Sequence, residues 1–410
     1  MPRVLLLLPT TSYRTPDFLE AAARLGVQVV VASEAPSTLE SLNPSGLLTL
    51  DFRNPAACAV RVAAFAKAHP LDAVVGVDED TAVVAATVAS GLGLPHNPVA
   101  AVLAARHKGR MRKMLARAHV PAPAHRLRTL DEDPLRAAQD ARYPCVLKPT
   151  FLAASRGVIR ANDASEFLVA WRRIAEILRE PDVSRRGGEP AAEILVEQFI
   201  PGFEVAVEGL LTAGQLRVLA VFDKPDPLDG PFFEETIYVT PSRLPAATQE
   251  RIVRVAGEGA AALGLLDGPV HAELRVNDAG VWLIEVAARS IGGLCSRTLR
   301  FGAGMSLEEL ILRHALGLEV EGVARESGAA GVMMIPSPGD GVLEGVDGLE
   351  EARRVPDIAE VTISAHTGQR LIPLPEGSRY LGFLFARAST PELAEAALRQ
   401  AHAKLRFRIS

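Results

Sequence analysis

Two glutamates between residues 271 and 289 are spaced so that they would face each other across a β-hairpin. If residues 278–280 form a three-residue loop that ends in glycine, Glu273 lies directly opposite Glu285. Like charges in that arrangement destabilise a ladder, so the pair needs a cation. Carboxylate oxygens favour Mg²⁺ over zinc. The spacing therefore predicts a divalent-metal site, and the alternative is a solvent-facing pair neutralised by Arg275 and Arg289.

Strand alternation indicates which other side chains share the face of these glutamates. The predicted face consists of His271, Glu273 and Arg275 on one strand and Leu283, Glu285, Ala287 and Arg289 on the other. His271 could orient a substrate carboxylate or bond to Glu273, and a core histidine is the equal alternative. Backbone amides of the following loop, which contains Gly292 and Gly293, could bind an oxyanion.

A lysine and a loop of small residues upstream have the composition of a phosphate-binding site. Lys148 ends a strand of buried character, so its ammonium would project from the end of that strand. In the loop that follows, Ser155 offers a hydroxyl, Arg156 a guanidinium and Gly157 close approach of the backbone. Surface turns have the same composition, so this pattern alone leaves both interpretations open.

Two further glutamates flank a Pro-Gly turn and could contact a nucleoside. Glu197 and Glu204 fall on adjacent predicted strands, where carboxylates can accept hydrogen bonds from an adenine amino group or ribose hydroxyls. Exposed strand carboxylates are the alternative. Lys224, in a predicted loop, could bind the carboxylate of a second substrate or could simply be solvated.

The first hundred residues alternate strands and helices, which predicts a small parallel sheet with crossover helices. Asp78, Glu79 and Asp80 follow the last of these strands, at the carboxyl end where open α/β sheets place ligands. The alternative, which we favour, is a solvated loop. A single helix is predicted over 98–118, and its many basic residues favour a solvent-exposed face.

Composition excludes several classes of protein. At 410 residues the chain should hold two or three domains. A net charge of −5 provides no basic field for nucleic acid or an anionic membrane. The N-terminal apolar run is expected to be a first strand rather than a secretory leader, so we expect a cytoplasmic protein. The three cysteines are far apart and are expected to be reduced packing residues.

The order of the candidate residues resembles the ATP-grasp superfamily, in particular its carboxylate-amine ligase branch. That branch includes L-amino acid ligases and carnosine synthase and is related to biotin carboxylase and D-alanine ligase. The resemblance rests on Lys108, Lys148, the small-residue loop, Glu197, Glu204, Glu273, Glu285 and Arg289 in this order. It implies an α/β chain, α+β in its core, with the ATP-grasp fold.

The resemblance also implies a domain organisation. A Rossmann-like pre-ATP-grasp domain would occupy 1–110 and a lid subdomain 111–192. A nucleotide and metal core with an antiparallel sheet would occupy 193–325, and a C-terminal lobe packed on that core would occupy 326–410.

Site roles follow from the same resemblance, with ATP and Mg²⁺ as the expected ligands and Mn²⁺ as an alternative metal. Phosphate contacts are implied for Lys108, Lys148, Ser155, Arg156 and Gly157, with Lys113 as the alternative to Lys108. Adenine contacts are implied for Glu197, Gln198, Phe199 and Ile200, and a ribose contact for Glu204. Metal binding is implied for Glu273 and Glu285. Arg289 would stabilise the transferred phosphoryl group and an acyl phosphate.

Two positions depart from the pattern of the superfamily. Ala287 stands where many relatives carry an asparagine that bridges two metal ions, so the number of metal ions, one or two, remains open. The predicted lid loop has one glycine, Gly157, where many relatives have several.

The resemblance predicts an ADP-forming ligase that joins an amino acid or small carboxylic acid to an amine through an acyl phosphate. The alternatives are activation of bicarbonate or another acid for a different acceptor, and nucleotide binding without turnover. The expected partners are small molecules, with a homodimer compatible with the resemblance.

Overall fold

The N-terminal unit is a parallel sheet covered by helices. The computed structural model describes residues 1–410. It begins with β1 (Arg3–Leu7), α1 (Thr15–Leu25), β2 (Gln28–Ser33), β3 (Leu47–Thr49), α2 (Pro55–Ala66), β4 (Ala73–Gly76) and α3 (Glu79–Leu92). The strand order is β3-β2-β1-β4 and all pairs are parallel. The predicted parallel sheet with crossover helices is confirmed.

The basic segment that follows is two helices, where one was predicted. They are α4 (Val99–Arg106) and α5 (Lys108–Arg117). His107 between them has extended backbone, and its ring accepts a hydrogen bond from the Arg110 N–H, so it caps α5. This break turns Lys108 and Arg112 inward, and both are buried. The prediction of a wholly solvent-exposed basic face is therefore wrong.

The next unit is a four-stranded antiparallel sheet with helices on one side. Its elements are β5 (His125–Thr129), α6 (Pro134–Gln139), β6 (Cys145–Pro149), β7 (Ile159–Ala161), α7 (Ala164–Arg179), α8 (Pro181–Gly187) and β8 (Glu193–Gln198). The strand order is β5-β8-β6-β7. Strand β8 lies beyond the predicted limit of the lid at residue 192, yet it pairs with the lid strands β5 and β6.

An eight-stranded antiparallel sheet forms the centre of the molecule. Its first part contains β9 (Phe203–Thr212), β10 (Gln215–Lys224), β11 (Ile237–Thr240), α9 (Ala246–Leu263), β12 (Gly268–Asn277) and β13 (Gly280–Ala287). The short pair β14 (Arg300–Phe301) and β15 (Met305–Ser306) precedes α10 (Leu307–Ala315).

Three of the six C-terminal strands extend the same sheet, and the other three form a separate small sheet. The C-terminal residues form β16 (Ala329–Ile335), β17 (Gly341–Asp347), α11 (Leu349–Arg353), β18 (Ile358–Ile363), β19 (Arg370–Leu371), β20 (Gly382–Ala388), α12 (Pro391–His402) and β21 (Arg406–Ile409). The central sheet has the order β13-β12-β9-β10-β11-β16-β20-β18. This sheet contains strands from both sides of the predicted domain boundary at 325/326. The limits of the domains stay a prediction.

The β12–β13 hairpin pairs Glu273 with Glu285, as the sequence predicts, but by a different route. Asn277 pairs with Gly280, so the loop has two residues rather than three. A β-bulge at Ile284 then restores the register, because it adds one residue to β13. Between the loop and the bulge, the side chains of β13 therefore point to the opposite face of the sheet from the one predicted. Leu283 packs in the core, opposite Leu274. The predicted place of Leu283 beside the glutamates is therefore wrong.

All three cysteines are free and buried, in agreement with the prediction. None of the helices combines the length and the apolar character that crossing a bilayer would require.

Candidate active site

A cavity of about 390 Å³ opens between the lid sheet, the central sheet and the N-terminal unit. Fourteen predicted site residues line it: Lys108, Lys148, Ser155, Glu197, Gln198, Phe199, Ile200, Glu204, His271, Glu273, Glu285, Arg289, Gly292 and Gly293. Arg156, Gly157 and Lys224 are outside its lining. Residues far apart in the sequence thus meet around one space.

Two lysines bring positive charge to one side of the cavity. Lys148 is 5% exposed and pairs with Glu197 at 2.7 Å. Burial lowers the pKa of Lys148, and Glu197 offsets this only in part. The Lys108 ammonium donates to the Leu152 carbonyl at 2.8 Å and to Glu285 at 3.2 Å. Lys113 is exposed on the outer face of α5, which leaves Lys108 as the lysine of that helix at the cavity.

Arg112 is a site residue that the sequence analysis did not single out. It is 1% exposed, and its guanidinium lies 2.6 Å from Glu197, which faces Lys148 on its other side. Burial alone would raise the pKa of Glu197, but the two cations hold that pKa below its usual value. The sequence contains one signal for Arg112: it lies four residues after Lys108, and residues i and i+4 share one face of a helix.

The small-residue loop bends over the cavity, but not every side chain points into it. Ala154, Ser155 and Gly157 have φ angles of 53°, 54° and 73°. Arg156 points away and pairs with Glu180 at 2.6 Å, so a nucleotide contact by its side chain disagrees with this geometry. A Cβ at Gly157 would lie 2.8 Å from Pro149 Cγ, which explains why glycine is required there.

The two hairpin glutamates have different partners. Glu273 lies 3.3 Å from the Lys224 ammonium and 3.6 Å from His271 Nε2, whereas Glu285 faces Lys108. Burial opposes ionisation of Glu273, yet Lys224 and His271 hold its pKa well below the usual value. Two carboxylates on one wall of a cavity form an oxygen-only donor set, which fits Mg²⁺.

Neither Arg275 nor Arg289 forms an ion pair with these two glutamates, in contrast to the alternative in which the arginines neutralise them. Arg275 pairs with Glu204 at 2.9 Å and donates to the Ile200 carbonyl at 2.8 Å. Arg289 pairs with Glu79 at 2.9 Å. Glu79 therefore belongs to the wall of the cavity, as do its neighbours Asp78 and Asp80, and the expectation of a solvated loop is wrong.

Lys224 does not lie in a loop but ends β10, and it is 3% exposed. Its ammonium contacts Glu204 at 2.8 Å, Glu273 at 3.3 Å and also Glu235. Oxygens of these three carboxylates lie within 4.8 Å of one another. The ammonium is therefore saturated by protein carboxylates and does not face the cavity.

Behind the glutamates, a buried carboxylate connects the hairpin to the next loop. Glu208 is fully buried, accepts the Ile291 N–H at 3.0 Å and lies 3.1 Å from His271 Nδ1. Burial is the main cause that raises the pKa of Glu208. The sequence analysis missed this residue. Its position follows from the pairing of β12 with β9, which puts His271 opposite Glu208.

Comparisons with known proteins agree with this geometry. A family model described as an ATP-grasp domain matches residues 141–298, and an ATP-grasp N-terminal domain model matches 19–96. A model for the L-amino acid ligase C-terminal domain 2 matches 333–410. The crystal structure of L-amino acid ligase from Bacillus licheniformis has a TM-score of 0.84 at 28% identity, with 100% of this chain and 99% of that chain covered. This chain belongs to the ATP-grasp superfamily.

Curated ATP-grasp relatives share shorter stretches. Alanine--anticapsin ligase of Bacillus subtilis is 30% identical over 236 residues, which are 54% of this chain and 49% of the relative. Carnosine synthase 1 of Gallus gallus is 30% identical over 317 residues, 73% of this chain and 33% of the relative. The chain thus spans about half or less of the length of these ligases. The ATP-grasp domain match contains Lys148, Glu197, Glu273, Glu285 and Arg289.

Proposed function

We propose that this protein is an ADP-forming ligase that joins a carboxylate, most simply that of an amino acid, to an amine. The observation that carries the proposal is the convergence of Lys108, Lys148 and Arg289 with Glu273 and Glu285 on one cavity. Cations there suit polyphosphate oxygens, and the two carboxylates suit the Mg²⁺ that accompanies them. The relatives named above are ligases, which supports the same chemistry.

The nucleotide would lie between the lid sheet and the central sheet. Lys108 and Lys148 would bind its phosphates as point charges, and residues 197–200, at the end of β8, would contact adenine. Glu204 would accept hydrogen bonds from the ribose hydroxyls. Lys224 and Arg275 already hold both oxygens of Glu204, at 2.8 and 2.9 Å, so the carboxylate is oriented in advance.

A carboxylate is a poor electrophile because it is anionic and resonance-stabilised. In the proposed reaction a carboxylate oxygen attacks the γ-phosphorus of ATP, and ADP leaves. The amine then attacks the acyl phosphate, loses a proton, and inorganic phosphate leaves. Mg²⁺ held by Glu273 and Glu285 would neutralise phosphate charge during the transfer.

Arg289 and the loop after it would stabilise the acyl phosphate. Arg289 is held by Glu79 at 2.9 Å, and the Ile291 N–H is held by Glu208 at 3.0 Å. These two contacts fix the start of the loop. Gly292 and Gly293 make no backbone hydrogen bond through their own N–H groups, so these amides are free to meet an oxyanion.

The test is a phosphate-release screen of single amino acids, pairs of amino acids, small acids and bicarbonate with Mg²⁺-ATP. A ligase releases phosphate and ADP in equal amounts only when both partners are present, and mass spectrometry detects the amide. Release with bicarbonate alone would identify acid activation for another acceptor. ATP binding by calorimetry without any release would contradict the proposal and identify a nucleotide-binding protein.

A matched pair of variants on α5 separates a phosphate lysine from general charge. We expect Lys108→Met to lower kcat/KM for ATP by about 100-fold, since a buried charge-assisted contact is worth about 3 kcal/mol. Lys113→Met removes an exposed lysine of the same helix and should change kcat/KM less than about 2-fold. Equal losses in both variants would contradict the assignment of Lys108.

A further inference from the structure

We propose that one end of the cavity is an apolar subsite for an amino acid substrate whose side chain is large and uncharged, aliphatic or aromatic. This inference rests on the proposed function and specifies its substrate class. It concerns the wall of the cavity that includes Tyr238, Ile291 and Met334.

One wall of the cavity consists largely of apolar and aromatic side chains. Tyr238, Ile291, Cys295 and Met334 are each at most 3% exposed and belong to one hydrophobic cluster. Tyr13 and Tyr380 pack against that same cluster. All six side chains line the cavity. A substrate that displaces water from this wall gains free energy in proportion to its apolar area.

The wall is held in place by the core behind it. Phe383, fully buried in β20, contacts Tyr13 edge-on at 5.6 Å between ring centroids and contacts Tyr380 edge-on at 6.0 Å. Tyr13 belongs to the N-terminal unit and Tyr380 to the C-terminal residues, yet both pack against the ring of Phe383. A preformed wall costs little ordering entropy when a side chain binds.

Two cations near the wall, Arg14 and Lys224, are already paired. Arg14 donates to Glu308 at 2.9 Å and to Ser290 Oγ at 2.8 Å, and it is 1% exposed. Lys224 lies 4.9 Å above the Tyr238 ring and contacts three carboxylates, including Glu204 and Glu273. Arg379, the neighbour of Tyr380 in the chain, is exposed and is outside the lining of this cavity. An acidic substrate side chain would therefore find neither Arg14 nor Lys224 free, and burying it against the wall would be unfavourable.

The experiment measures kcat/KM for phosphate release over the standard amino acids, each offered with Mg²⁺-ATP and every possible partner. We expect leucine, isoleucine, methionine or phenylalanine in the best pairs, at least about 10-fold above the same pairs with glycine. Best pairs that contain only glycine, acidic or basic amino acids would overturn the inference while the ligase function stands.

A binding measurement keeps the two proposals separable. If no pair releases phosphate, the proposed function fails. Calorimetry with Mg²⁺ and a non-hydrolysable ATP analogue then tests the subsite directly. Leucine or phenylalanine should bind at least about 10-fold more tightly than glycine. Equal or weaker binding overturns the inference.

Variants of the wall provide the structural control. Met334→Ala should lower the ratio of kcat/KM for leucine to that for alanine by about 10-fold, because apolar contact with the larger side chain is lost. Tyr13→Ala, at a half-buried loop residue, tests the same wall if Met334→Ala fails to fold. Leu393→Ala removes an exposed leucine outside the cavity and should keep the ratio. An unchanged ratio in both wall variants overturns the inference.

Discussion

Replacing Lys224 with methionine should both unfold the protein more easily and weaken nucleotide binding. The ammonium is the shared partner of Glu204 on β9, Glu273 on β12 and Glu235, which precedes β11. Methionine keeps most of the apolar stem but removes the charge. The three carboxylates, with oxygens within 4.8 Å of one another, would then repel. Only Arg275 beside Glu204 and His271 beside Glu273 would remain to compensate.

The magnitude follows from the burial of this cluster. Removing one partner of a buried ion pair typically costs about 3–5 kcal/mol, because the remaining charge is left unpaired. The side chain of Lys224 is 2% exposed and those of Glu204, Glu235 and Glu273 are 10%, 18% and 21% exposed, so solvent screens the cluster only in part. We therefore expect the free energy of unfolding at pH 8 to fall by about 3–5 kcal/mol.

The loss should also depend on pH. Burial raises the pKa of Glu235 to about 7, so this carboxyl takes up a proton between pH 8 and pH 6. Protonation removes one of the three repelling charges. The difference between wild type and Lys224→Met should therefore be smaller at pH 6 than at pH 8.

Urea denaturation followed by circular dichroism, without added metal, measures both effects. Lys404→Met, at an exposed lysine, is the control and should change the free energy of unfolding by less than about 0.5 kcal/mol. Because Lys224 orients Glu204, the KM for ATP should rise in Lys224→Met. A loss of less than about 1 kcal/mol at pH 8 together with an unchanged KM would refute the reasoning.

Two further predictions concern other charged groups. Glu285→Gln should abolish phosphate release with little change in the unfolding temperature, because this half-buried carboxylate is one of the two proposed Mg²⁺ ligands. Near-normal turnover would contradict that assignment. Burial alone would raise the pKa of Glu308, but the Arg14 guanidinium holds that pKa below its usual value of 4.5. The stabilisation by Glu308 is thus present above about pH 4.5 and is lost as the pH falls further. Glu308→Gln removes this contribution, so the free energy of unfolding should depend less on pH in that acidic range. Parallel pH profiles of the wild type and the variant would contradict this prediction.

The central hairpin shows how a correct pairing can follow from a partly wrong local structure. The predicted three-residue loop and the observed two-residue loop with a bulge both set Glu273 opposite Glu285, because the bulge at Ile284 returns the residue that the loop lacks. Spacing in the sequence counts residues but does not say where an irregularity falls. Only the core contacts of Leu283 reveal that the side chains of β13 between the loop and the bulge point to the face opposite to the one predicted.

The sequence by itself determined the alternation of elements, the free cysteines and the order of residues that resembles the ATP-grasp superfamily. These features depend on local propensity, period and composition, which are encoded within short stretches. The same local signals placed Lys148 at the end of a strand and the two glutamates on facing strands.

The tertiary structure alone decided which charges are partners. Arg112 faces Glu197 across 85 residues, and Arg289 faces Glu79 across 210. Lys224, apparently a loop lysine, is buried among carboxylates because β10 lies beside β9 in the central sheet. Such pairings depend on strand order and on packing between units, and no local pattern specifies them. Charged side chains that the sequence predicted to be solvated are buried in the structure, and their ion pairs hold the groups around the cavity in place.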